Sequence, residues 1–369
     1  MNPMHSSKPG TKVAGLFHPQ PPIQGAEKIL LIKLRAIGDV VMSTVVLDNL
    51  RAHFPHAQID FLTEAFCRDL LIDHPVVRRV FVLPKKDRSV WLRLHRWKES
   101  LHLLMDIRRE KYDLVFDFFG NPRSAWLTLF SGASHRIGYD FRLRSLAYNV
   151  VVPSRADQLH EVEWHLDALS AIGVPIVARN PRLVVSSDCK IADHFWTQNR
   201  LAGKRIIGFN FSGGWPAKRW PLEKFAELAM LLQRDFALHF VLIWGPGEKT
   251  AADQLQKMIG SSAIALPPTD LKELGCFLPR LDLLVSTDSG PMHIAAALGT
   301  PCVGLFGPTR PQQQGPYGEP HEVVCQNELS CLGCNRTDCP DIRCMLQLAP
   351  SRVLEAVHRC VKKNRLWAS

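Results

Sequence analysis

The chain has no apolar run near the roughly 20 residues that a helix needs to cross a bilayer, which excludes an integral helical membrane protein. It has no Gly-x-Gly-x-x-Gly. The nearest fragment, Gly245-Pro246-Gly247, lacks the third glycine of a dinucleotide fingerprint. Neither a P-loop nor a Gly-x-Ser-x-Gly nucleophile elbow occurs. Asp-x-Asp is absent too, so nothing signals a metal–carboxylate grip on a nucleotide diphosphate. The 15 histidines show no metalloprotease spacing. Residues 1–27 are rich in Pro, Gly, Gln and Ser and lack the apolar core of a secretory signal. They are expected to form a disordered tail, and the protein is expected in the cytoplasm.

What is present is globular material. The 369 residues predict two domains or slightly more, at about 150 residues each. With 46 % hydrophobic and 22 % charged residues, a disordered, collagenous or coiled-coil chain is excluded. The net charge of +10 is unevenly placed. Lys85–Lys111 holds nine Lys/Arg against four Asp/Glu, and Ser351–Ser369 holds five against one. Two basic patches suggest an anionic contact: nucleic acid, a membrane surface or a phosphorylated substrate. A solvated helix face is the competing reading. Of ten cysteines, six lie between Cys325 and Cys360, a clustering that points to a metal or redox feature before a disulfide framework.

Strand-like apolar runs at Lys28–Leu34, Ile59–Leu62, Val80–Leu83, Leu114–Phe118 and Val150–Val152 alternate with helical segments. Those helices are expected near Asp39–His53, Trp91–Arg109, Pro122–Phe130 and His160–Ile172. The pattern restarts with strands at Ile206–Phe211, Leu238–Trp244, Leu283–Ser286 and Cys302–Phe306. Helices Leu222–Arg234, Lys249–Ile259 and Pro291–Leu298 lie between and after them. Such alternation predicts βα units and mostly parallel sheets. The domains are placed at 28–180 and 181–349, the second with a Cys-rich segment 325–344, followed by a basic C-terminal helix 350–369. Two α/β halves imply a cleft, the usual place for a ligand. Trp91, Leu94, Trp97, Leu101 and Leu104 follow helical spacing and predict a core face.

Four constellations could carry chemistry. Arg35-Ala36-Ile37-Gly38-Asp39 follows the first strand, at the carboxyl edge where open α/β folds bind ligands. Asp39 is there either a functional carboxylate or a helix cap. Ser286–His293 joins a strand to a helix, with Pro291 suited to the first turn, and predicts an anion site at the helix start. Phe211–Pro221 is a Gly-rich loop carrying adjacent Lys218 and Arg219, which could approach a diphosphate. Cys331-x2-Cys334-x4-Cys339-x4-Cys344 has zinc-knuckle spacing with cysteine in place of histidine. It reads equally as a closed structural zinc site or as reduced, unliganded thiols.

Gly38-Asp39, Lys218-Arg219-Trp220-Pro221 and Asp288-Ser289-Gly290-Pro291-Met292-His293 together resemble the lipopolysaccharide heptosyltransferases, glycosyltransferase family 9. The likeness continues through Ala295–Leu298 and Thr300–Pro308. The resemblance implies an α/β chain in the GT-B arrangement, two Rossmann-like domains facing across a cleft. It implies inverting, metal-independent transfer of heptose from an ADP-heptose donor to the lipid A–core oligosaccharide, on the inner face of the inner membrane. No cofactor is then needed for catalysis. By carry-over Asp39 is the general base, and Lys218 holds the diphosphate together with the helix start. The implied donor-binding set is Gly38, Ser212, Gly213, Arg219, Glu248, Asp288, Ser289, Gly290, Met292 and His293. Some relatives carry threonines where Gly213 and Gly214 stand, and only some share the cysteine group.

A protein heptosyltransferase of the autotransporter type is an alternative. So is a nucleic-acid-binding protein using the basic patches and a zinc knuckle. The second lacks any recognisable nucleic-acid module, so nucleic acid is not among the expected partners. Peripheral contact with an anionic membrane is.

Overall fold

The apolar runs pair in parallel because a helix, or between some strands a 3-10 turn, carries the chain back along the sheet between them. The computed structural model describes residues 22–83 and 90–367. In the first half the strands are β1 (Lys28–Ile32), β2 (Gln58–Glu64), β3 (Val77–Leu83), β4 (Leu114–Asp117), β5 (His135–Tyr139) and β6 (Val150–Val152). Its helices are α1 (Ile37–Ser43), α2 (Val45–His53), α3 (Val90–Glu110), α4 (Pro122–Phe130) and α5 (Glu161–Ser170). The second half has strands β7 (Arg205–Asn210), β8 (Leu238–Ile243), β9 (Ala263–Ala265), β10 (Leu283–Thr287), β11 (Cys302–Phe306) and β12 (Glu322–Cys325). Around them lie α6 (Lys190–Gln198), α7 (Leu222–Asp235), α8 (Lys249–Ile259) and α9 (Leu271–Phe277). The remaining helices are α10 (Gly290–Ala297), α11 (Pro311–Gln314), α12 (Arg343–Leu346) and α13 (Pro350–Lys363).

The two sheets run β3-β2-β1-β4-β5-β6 and β12-β11-β10-β7-β8-β9, with every pairing parallel. Winding reverses between β1 and β4, and again between β7 and β10. These switch points open a crevice at the carboxyl ends of the strands. The central strands are covered on both faces, so Ile29–Ile32 and Leu283–Val285 are fully buried.

The halves meet through side chains. α1 packs on α10, and Lys272 in the first turn of α9 pairs with Asp73 at 2.7 Å. The N-cap of α5, His160, bonds the Gly315 carbonyl at 3.0 Å, across the joint. Cys189 and Cys276 form a disulfide that staples the start of α6 to α9, a link the cysteine spacing did not reveal.

Several expectations change. Residues 22–27 are not free tail: the Ile23 N–H donates to the Ile172 carbonyl at 3.1 Å, and Ile23 and Ala26 pack on the core. Residues 1–21 and the side chains of 84–97 lie outside the described residues. With them go most of the expected tail, much of the Lys85–Lys111 patch, and Trp91, Leu94 and Trp97. Leu101 is 54 % exposed, because the inward face of α3 runs through Leu103 and Ile107. The helix expected over Asp39–His53 is two helices meeting at Thr44. The basic C-terminal patch is largely neutralised. On α13, Arg352 pairs with Glu328, Arg359 with Glu322, and Lys363 with Glu319.

Candidate active site

Gly38 stands inside the first turn of α1, and the space above it belongs to the other half. A Cβ placed there would fall 2.4 Å from His293 Cδ2, and one on Gly290 would fall 2.6 Å from Ile37 Cγ2. The two glycines therefore let α1 and α10 touch. At Gly38 the absence of a side chain admits His293.

Asp39 follows in the same turn. The N-cap position is Ala36 and holds no side-chain cap, so Asp39 is not the cap residue, although it reaches back to the Ala36 backbone. Its side chain is 28 % exposed, with Oδ2 3.9 Å from Lys33 Nζ. Burial pushes its carboxyl up to about 6; the Glu161 charge adds to this, while Lys33, the Ala36 backbone and His293 oppose it. Such a group is mostly ionised at neutral pH yet holds a proton better than an ordinary aspartate, as a general base should.

Behind Asp39 lies a polar cluster that no sequence motif announced. Lys33 is 3 % exposed at the end of β1, and its Nζ donates to Glu161 Oε1 at 2.5 Å and to the Phe118 carbonyl at 3.3 Å. Glu161 opens α5, 128 residues away, with His165 Nε2 at 3.5 Å. Burial holds the His165 imidazole down at about 4, so it is neutral. Asp117 at the end of β4 is buried, accepting from Phe119 and Gly120 N–H groups and from the Tyr148 hydroxyl.

Across the joint, Asp288 follows β10 and is 4 % exposed. Lys218 Nζ sits 2.7 Å from its Oδ2, the Thr309 hydroxyl donates to the same oxygen at 2.6 Å, and His293 Nε2 lies 3.9 Å from Oδ1. Burial alone would raise Asp288. The neighbouring His293 and the charge of Lys218 outweigh it and hold the carboxyl at about 2. Lys218 also stands over the Trp215 ring at 4.3 Å. Its ammonium has three donors, so it can keep Asp288 and still meet an incoming phosphate.

Pro291 has no N–H, and that of Met292 turns to the Ser289 carbonyl at 3.2 Å. The expected anion cradle therefore narrows to Ser289–Gly290 at the start of α10. Met292 does not line the site: it is fully buried, its sulfur packed under Gly304. Asn210, at the end of β7, donates to Ser289 Oγ at 2.6 Å and to Ser286 Oγ at 2.7 Å, and its buried Oδ1 has no partner. It read as a strand residue, yet it aligns both hydroxyls. Ser212 and Glu248 are hydrogen-bonded to each other. Glu248 also accepts from the Gly245 N–H at 2.9 Å and pairs with Arg219 at 3.4 Å. Gly213 is tightly enclosed, with a Cβ there 3.2 Å from Arg219 Cγ, whereas Gly214 faces open space.

The cysteine segment does not assemble into the expected ligand set. Among the described residues, no group of three or more His, Cys, Asp or Glu is arranged to hold a metal ion. Cys331 and Cys334 are exposed, the Cys339 thiol donates to the Asp341 carbonyl at 3.0 Å, and Cys344 is buried beside Gly307. Burial raises the Cys344 thiol, helped by the other three nearby. The segment instead backs the loop after β11. Gly333 N–H bonds the Gly307 carbonyl at 3.0 Å and Asn335 N–H the Pro308 carbonyl at 2.6 Å, next to the Thr309 that holds Asp288.

The chain is similar along most of its length to known proteins. A lipooligosaccharide heptosyltransferase 2 from Haemophilus influenzae is 25 % identical over 353 residues, covering 91 % of this chain and 99 % of the relative. A lipopolysaccharide heptosyltransferase 1 from Escherichia coli is 29 % identical over 321 residues, 84 % of this chain and 95 % of the relative. The solved Escherichia coli ADP-heptose LPS heptosyltransferase II superposes with a TM-score of 0.72 at 25 % identity, over 92 % of this chain and 99 % of that one. The fold is the GT-B arrangement. The sequence pattern of glycosyltransferase family 9 (heptosyltransferase) matches residues 101–343, and the chain belongs to that family.

Proposed function

We propose that this enzyme transfers heptose from ADP-heptose to the inner core of lipopolysaccharide, with inversion and without a metal ion. The observation that carries the reading is the meeting of Asp39 with the Lys218–Asp288–His293 group across the Gly38–His293 contact. A carboxylate from one half thus lies beside His293 of the other, and His293 and Lys218 both flank Asp288. Asp39 takes the proton of an acceptor hydroxyl, and the oxygen attacks the anomeric carbon from the face opposite ADP. The bond from that carbon to the diphosphate oxygen breaks, and its electron pair leaves with ADP. Lys218 and the Ser289–Gly290 turn meet the developing negative charge. Arg219, Ser212 and Glu248 border the nucleotide end, with Asp288 nearer the sugar. The related enzymes named for ADP-heptose and for lipopolysaccharide support the choice of donor and acceptor.

The acceptor is lipid-borne, so the enzyme works at the inner face of the inner membrane. No helix among the described residues is long and apolar enough to cross a membrane. The surface that suits peripheral contact is α4. Trp126 (60 % exposed) stacks on Phe130 at 5.0 Å, Leu129 stands beside them, and Arg108 donates to the Phe130 carbonyl at 3.2 Å. Exposed rings with flanking cations favour an anionic bilayer interface.

The test is to incubate the purified protein with several nucleotide sugars and truncated lipopolysaccharides, and to weigh the products. A gain of one heptose, only with ADP-heptose, is expected. Transfer of another sugar, or no transfer to any truncated core, contradicts the proposal.

A further inference from the structure

Lys33 is buried with two carboxylates in reach and does not share itself equally between them. Its Nζ is 2.5 Å from Glu161 and 3.9 Å from Asp39. A second hydrogen bond, to the Phe118 carbonyl, fixes the ammonium, and the Trp164 ring lies 5.8 Å away. Glu161 is itself held by its place at the start of α5, where His160 caps the helix and bonds across to Gly315. A buried ion pair of this kind is weak evidence for stability, because desolvation offsets most of the attraction. Its position directly behind the base asks for another role.

We propose that the Lys33–Glu161 pair positions Asp39 and sets its basicity: Glu161 holds the cation back, so that Lys33 steadies the carboxylate without capturing it. The inference rests on the reading of Asp39 as the base. The other titratable groups around Asp39 do not offer the same control. His293, on α10, and Cys67, in the 3-10 turn after β2, also lie near Asp39, but His293 weighs on it less than Glu161 or Lys33. His165 and His160, both on or next to α5, are held neutral by burial. Asp117, on β4, is satisfied by its own three donors. Lys33 and Glu161 are the charged pair whose balance Asp39 feels.

The signs follow from charge alone. Without the Glu161 charge, Lys33 is left with Asp39 as its anion, and the carboxylate becomes a weaker base. Without the Lys33 charge, Asp39 and Glu161 face each other uncompensated, and Asp39 holds its proton to higher pH. An opposite charge within a few ångströms moves a carboxyl by about 1–3 units.

The experiment follows the Asp39 carboxyl directly, by 13C NMR of the full-length protein labelled at aspartate, with Asp39→Asn identifying the signal. Glu161→Gln should lower its titration midpoint by about one unit, and Lys33→Met should raise it by about as much. The acid limb of kcat/KM against pH should move with it in both variants. The double variant Lys33→Met/Glu161→Gln buries no unpaired charge and guards against a Lys33→Met protein that fails to fold; its midpoint should lie between the two. Midpoints that stay put, or that move in the same direction in Glu161→Gln and Lys33→Met, overturn the proposal. If the NMR midpoints separate as expected while the activity profile ignores them, the pair stands and Asp39 as base falls.

Discussion

The His293 imidazole fills the space that a side chain on Gly38 would need, with a Cβ there coming within 2.4 Å of Cδ2. Glycine to alanine inside a helix ordinarily stabilises by about 0.5–1 kcal/mol. Here overpacking against a buried ring from the other half costs about 1–3 kcal/mol and outweighs that gain. Gly38→Ala should therefore lower stability in urea unfolding and reduce kcat/KM. Gly214→Ala, facing open space, is the neutral control for stability. A Gly38→Ala protein more stable than the parent would contradict the packing.

This contact also shows what could be read in the chain and what could not. Gly38-Asp39, Lys218 and Asp288–His293 were legible because the polar, glycine-rich punctuation between apolar runs marks the carboxyl ends of strands. That His293 would land on Gly38 was not legible, since it depends on how two halves pack. Lys33 and Glu161 lie 128 residues apart, and the lysine sits in a run that reads only as a strand. β5, β9 and β12 escaped notice because short segments such as His135–Tyr139 and Ala263–Ala265 alternate too little to stand out. Met292 was grouped with the site by its motif, whereas its apolar side chain went where apolar side chains go, into the core. The cysteine spacing left two readings open, a zinc site or unliganded thiols, because spacing alone does not fix how side chains turn.

Lys218 should be the main electrostatic aid to departure of the diphosphate. Lys218→Ala is expected to slow turnover by two or more decades, the scale for losing one preorganised donor. Chelator should leave the parent enzyme unaffected. An absolute requirement for magnesium would refute this route.

The Asp288 carboxyl is held at about 2 by His293 and Lys218 against the effect of burial. A depressed carboxyl contributes stability above its unfolded value near 4 and loses it as pH falls toward 2. The shift is worth about 2 kcal/mol. Urea unfolding of the parent and Asp288→Asn should differ by at least about that much at pH 7, and the gap should shrink between pH 4 and pH 2. A gap independent of pH would show that the carboxylate charge is not what stabilises.

The α4 face should govern vesicle binding. Trp126→Ser/Phe130→Ser should weaken binding to phosphatidylglycerol-containing vesicles by tenfold or more, since burying one large apolar side chain is worth about 1.5–3 kcal/mol. Added salt should weaken the parent as well, by screening the cations. Unchanged flotation of the double variant would move the membrane contact elsewhere.

Asp39→Asn tests the central claim. Asparagine matches aspartate in shape and can still hydrogen-bond at the helix start, but it cannot take a proton from a hydroxyl. The variant should fold, bind ADP-heptose with the parent's affinity, and turn over at least about 10²-fold more slowly. A folded Asp39→Asn enzyme with near-parent turnover would remove Asp39 from the mechanism and contradict the account.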